Sequence, residues 1–226
     1  MKCKNQLYNF IGGGRFNRIL AGTTICVNSV HSTISGGCEN CILGVNFGTI
    51  PGGAYNVLDN GTSLTRLEGS YAGGGVFNRI SANYGAIIGG SSNCITGYRS
   101  GIVAGENNLV TCGNSGVFNG FCNTVGATGA AIIAGCKNTI SGTFSAILSG
   151  TNNCAIGAYS TIFGGQLNSA TCANSAVFGC GITTSMACAL HTNRIVVTQL
   201  PSSSAGLPSG AMWYDPAAGN VVKYVP

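Results

Sequence analysis

The stretch NCITGYRSGIVAG, residues 93–105, returns with little change as NTISGTFSAILSG at residues 138–150. Around these copies an asparagine stands every fifteen residues: Asn78, Asn93, Asn108, Asn123, Asn138, Asn153 and Asn168. A short period kept without insertion describes stacked rungs of equal circumference, because only equal rungs hold equivalent residues in register. With each asparagine as position zero, position two carries Ile80, Ile95, Val110, Val125, Ile140, Ala155 and Ala170. Position nine carries Ile87, Ile102, Val117, Ile132, Ile147, Ile162 and Val177. Two columns that are apolar in every rung must point into the coil and stack between rungs about 4.8 Å apart.

Between the columns lie the corners. Position twelve is glycine from Gly90 to Gly165, suiting a corner with positive φ or no room for a Cβ. Position seven (Gly85, Ser100, Ser115, Ala130, Ser145, Ser160, Ser175) marks the opposite corner. Each rung is then two short strands and two turns. The asparagines should form an amide ladder and occupy left-handed backbone at their turn.

Position ten (Ile88, Val103, Phe118, Ile133, Leu148, Phe163, Phe178) directly follows an inward residue, so it points outward, yet it is bulky and apolar throughout. Position eight beside it is small: Ala86, Gly101, Gly116, Ala131, Ala146, Thr161 and Ala176. Covering seven such side chains is worth on the order of 10 kcal/mol, which implies a partner surface. The expectation is a homotrimer whose interface is Ile88, Val103, Phe118, Ile133, Leu148, Phe163 and Phe178.

Residues 1–77 keep the same grammar irregularly, with Asn17, Asn40 and Asn56 unevenly spaced and insertions such as that around residues 59–68. The regular solenoid occupies 78–184. Residues 185–226 read as a strand over 194–199, a Pro/Ser/Gly linker, and two runs flanking an Asp-Pro turn that form a hairpin cap.

Charged residues make up 7 % of the chain against 37 glycines, which excludes an ordinary charged globule. Without a Gly at every third position collagen is excluded, and the Ile, Val and Phe content excludes disorder. The net charge of +5 is scattered and forms no basic stripe, so no nucleic-acid partner is expected. No run of about eighteen apolar residues exists, so no membrane insertion is expected, and the start lacks the apolar segment of a secretory signal. Several of the twelve cysteines fall on columns otherwise held by small residues, and most of them read as fillers in a chain assembled in a reducing cytoplasm. Cys38 and Cys41 have ligand spacing without a completing pair, so no metal and no cofactor is expected.

The rung pattern Asn-x-Ile-x-Gly-x-x-Ser-x-Ile-x-x-Gly over about residues 9–182 resembles the head repeats of YadA-type trimeric adhesins, with rungs one residue longer than is usual there. It also resembles repeats of bacteriophage tail fibres, and LPSSSAGLPSGAMWYDPAAGNVVKYV at 200–225 is similar to the trailing segments of phage fibre proteins. The resemblance implies an all-β, left-handed parallel β-solenoid (β-roll), trimeric, with a small C-terminal β-hairpin cap. It implies a virion fibre assembled in the host cytoplasm, docked to other tail or baseplate proteins and attaching to a host surface glycan. Candidate receptor contacts are Tyr84, Tyr98, Arg99, Phe144 and Tyr159, with Trp213 and Tyr214 at the tip; covering adjacent turns or packing the trimer is their competing role.

The alternatives are a bacterial adhesin-like surface protein and an ice-binding β-solenoid. The ice-binding reading rests on position three: Ser81, Thr96, Thr111, Gly126, Ser141, Ile156 and Thr171. It is set below the fibre reading because position one (Arg79, Cys94, Leu109, Thr124, Thr139, Cys154, Ser169) breaks a Thr-x-Thr array. An enzyme is not expected: the five carboxylates never share a face in neighbouring rungs, and His31 and His191 lack a nucleophile partner.

Overall fold

The computed structural model describes residues 8–20, 29–60, 67–195, 200–215, 217 and 221–225. Residues 1–193 and 194–226 form two compact units. The first is a parallel β-solenoid of about ten turns. Its strands, mostly two residues long, build a twelve-stranded sheet from Phe10–Ile11 to Leu190–Thr192 and a ten-stranded sheet from Arg18–Leu20 to Ser169–Ala170. The rungs pair in register, Ile87 with Ile102 and Ile80 with Ile95. Position thirteen adds a third line of parallel bridges from Ser91 through Glu106, Phe121, Cys136 and Thr151 to Gln166.

The core is the two apolar columns. From Ile80 to Ala170 and from Ile87 to Val177 every member is at most 1 % exposed. Deleting such a side chain removes its burial and leaves a void that neighbouring rungs cannot close, because their spacing is set by backbone hydrogen bonds.

The asparagines are buried too, and they do more than pair amide with amide. Each Oδ1 accepts the backbone N–H of the next asparagine: Asn93 N–H donates to Asn78 (3.1 Å) and Asn108 N–H to Asn93 (3.0 Å). Asn168 Nδ2 donates to Gly179, and from Asn78 to Asn153 each Nδ2 donates to the carbonyl of the glycine twelve residues on, as Asn108 does to Gly120 at 2.8 Å. That glycine has positive φ, and a Cβ on Gly105 would overlap both the Gly120 carbonyl and the Asn108 amide. Asparagine and glycine are therefore one device: the glycine leaves the space in which the amide closes the corner.

The left-handed backbone falls elsewhere than expected at the asparagine corner. The anchoring asparagines are outside that region, and the residue before each one enters it, including Phe77, Ser92, Cys122, Lys137 and Leu167 with φ of 54–58°. A second such set sits at position six: Tyr84, Arg99, Asn114, Phe144, Tyr159 and Asn174. Side chains in this region cost about 1–2 kcal/mol each, so they persist only where the surroundings over-determine them. Here the amide behind and the rungs on either side do so.

The uneven N-terminal rungs keep the ladder. Asn40 N–H donates to Asn17, Asn56 to Asn40, and Asn78 to Asn56. Extra length is taken up in a third side, where Val45–Asn46 pairs with Leu67–Glu68. At the other end the rung after Asn168 is one residue short, and Ile182 takes the place of the next asparagine by donating to Asn168 Oδ1. In the second unit, Met212–Asp215 and Val221–Tyr224 form an antiparallel hairpin. Most of the strand expected over 194–199 lies outside the described residues.

Replacing Asn123 by Ala leaves the Asn138 N–H buried without its acceptor and empties the corner. The expected cost is about 2–4 kcal/mol in urea denaturation. Lys137→Asn, at an exposed corner with φ of 54°, should stay within about 0.5 kcal/mol of the parent.

Candidate functional site

Pleating gives each sheet one inward and one outward set of side chains, so the solenoid offers two different outer faces. On the twelve-stranded sheet, position ten forms a ridge: Ile88, Val103, Phe118, Ile133, Leu148, Phe163 and Phe178 are 37–63 % exposed. Position eight forms a half-buried trough beside it. Toward the N-terminus the relief inverts. Small residues Gly12, Ser35, Pro51 and Gly73 follow the inward column, while Phe10 and Tyr71 stand at position eight, the Tyr71 ring lying over Gly73.

The ten-stranded sheet has outward side chains that are small or half-buried from Cys94 to Ser141, and Ile156, 47 % exposed at position three, stands out beyond them. Its position-one side chains are half-buried beyond Arg79, with Thr124 and Thr139 among them, and Thr96, Thr111, Ser141 and Thr171 stand exposed at position three. Thr111 and Thr171 hydroxyls also donate to carbonyls of the following rung, which holds their rotamers. Cys94 and Cys154 share position one, and burial pushes both thiols above their ordinary value. They stay protonated at neutral pH, so this face carries no charge from Cys94 to Thr171. Its N-terminal border is polar: Asp59 holds Arg79 at 2.9 Å and accepts from the Ser81 hydroxyl at 2.5 Å.

The aromatic corner residues lie against neighbouring turns. The Tyr98 ring covers Gly113, Phe144 covers Gly129 and Tyr84 covers Gly69, while Phe144 and Tyr159 stack at 5.4 Å. These rings and Arg99 line the corner before position seven, whereas Trp213 and Tyr214 belong to the strand Met212–Asp215 of the second unit. Trp213 and Tyr214 are half-buried; Lys223 sits over the Trp213 ring at 5.6 Å and pairs with Asp215. Among the described residues no group of three or more His, Cys, Asp or Glu could hold a metal ion.

Residues 67–164, a little under half of the chain, match the family model described as the grass antifreeze beta roll. No curated protein matches the chain. The match overturns the phage-fibre expectation. The Asn, Ile and Gly positions behind that expectation are what any close-stacked solenoid needs, so they describe the fold and leave its use undetermined. The outward residues are less constrained by the stack, and they differ between the two sheets.

Because burial raises the Cys41, Cys94 and Cys154 thiols, they should react slowly with a disulfide reagent at neutral pH, and faster as pH climbs past the ordinary thiol value. The exposed Cys180 and Cys188 should react first. Mass-resolved labelling that finds equal rates at all five contradicts this.

Proposed function

We propose that this protein binds ice through the outer face of its ten-stranded sheet. The observation that carries this is a coincidence: the antifreeze beta roll match covers the rungs where Thr96, Thr111, Thr124, Thr139 and Ser141 share one uncharged face, which is free of large exposed side chains until Ile156.

Adsorption to a crystal of water asks three things of a surface. It must be flat over many lattice repeats, because a protruding side chain holds the rest away. Its polar groups must recur at a fixed spacing, which the parallel ladder supplies at about 4.8 Å per rung. It must already be rigid, because ordering side chains on binding costs roughly 0.5–1.5 kcal/mol each. Short β-branched side chains on a backbone-bonded stack meet all three, and each hydroxyl contact is weak but repeated. The opposite face fails the first condition, since its phenylalanines stand well above its glycines. As part of the same reading we take the coil to be left-handed, as the rung grammar implies.

The test is thermal hysteresis and ice-growth morphology with purified protein. Thr111→Tyr and Thr139→Tyr keep strand propensity but raise a ring above the face, and should remove most of the hysteresis, whereas Lys137→Asn at the corner should leave it intact. Gly126→Thr should raise it: a Cβ there meets the Ile140 carbonyl at 3.5 Å, an ordinary contact, and fills a gap in position three. Absence of hysteresis in the parent protein, or insensitivity to both tyrosines, would overturn the reading.

A further inference from the structure

We propose that the ridge and trough of the twelve-stranded sheet are covered by the same face of another copy of this chain, packed parallel to the first. The proposal stands independently of ice binding, which uses the other sheet.

The first ground is area. At their exposures the seven ridge side chains present on the order of 700 Å² of apolar surface. The largest patch on a typical monomer is roughly 300–600 Å². Each partner in a stable interface contributes about 800 Å². Two such faces therefore supply nearly what a stable pair needs.

The second ground is shape. Ridge and trough are two residues apart along the strand, about 6.7 Å. A twofold axis running along the solenoid carries the ridge of one copy over the trough of the other. A twofold axis across the solenoid would set ridge against ridge. Where the trough is deepest, Gly101 and Gly116 floor a hollow of about 470 Å³ walled by Val103 and Phe118, with Arg99 and Asn114 at its lip. That hollow has room for a side chain of the partner's ridge.

The third ground is period. Only a surface with the same rung spacing stays in step over seven rungs, and an identical copy has it. The relief inverts beyond Ile88, so the self-complementary stretch ends there. Threefold closure about an axis in the same direction uses the same ridge, and mass separates the two stoichiometries.

Native mass spectrometry and sedimentation of the full chain should show two or three copies at micromolar concentration. Phe118→Asp, an outward change that leaves the core intact, should weaken association at least a hundredfold with an unchanged circular dichroism spectrum. Gly101→Leu adds apolar surface but fills the trough; a Cβ there meets the Ala86 carbonyl at 3.8 Å, so the fold accepts it. It too should dissociate the assembly, whereas nonspecific sticking would increase. A benzophenone placed at position 118 should join residues 101–131 of a partner. A monomeric parent, association unchanged in both variants, or cross-links to distant rungs would each overturn the proposal.

Discussion

The structure depends on keeping rungs in step, and the asparagine ladder enforces this. A two-residue strand has too few hydrogen bonds to define its own register. Each asparagine adds bonds that exist only when its rung lies directly under the next: one to the following N–H, one to the following glycine's carbonyl. A slip by one residue would break both and expose the apolar columns. Register is thus set at the corner, and the short strands inherit it.

Two consequences follow from holding the register there. Corner residues are forced into left-handed backbone, a cost carried at Phe77, Lys137 and Leu167 because the amide behind leaves no alternative. The sheets are in turn released from any role in specifying the fold by their outer side chains. One face could become hydroxyl-bearing while the other became a bulky ridge beside a trough. The same inward grammar serves both.

This separation explains what could be read in advance. The rungs, the two core columns and the glycine corner follow from period and alternation, since a repeated inward position tolerates few residue types, and the hairpin at Met212–Asp215 and Val221–Tyr224 follows from its turn residues. The outward positions follow no such rule. Thr96, Thr111, Thr124 and Thr139 looked like a broken array in linear order, because Cys94, Leu109 and Cys154 interrupt it. In space these position-one interruptions are half-buried and uncharged, and at position three Ile156, beyond Ser141, is the large exposed side chain.

Period and polarity in the chain alone thus determined the stacked coil, its core and the existence of two outer faces. Tertiary structure decided which residues take the strained backbone, that Asn17 to Asn168 form one unbroken ladder across uneven spacings, and how far each outward side chain stands exposed. The reason is physical: inward residues are constrained by packing that repeats with the sequence. Corner strain and surface relief arise from contacts between rungs fifteen or more residues apart, which no local pattern records.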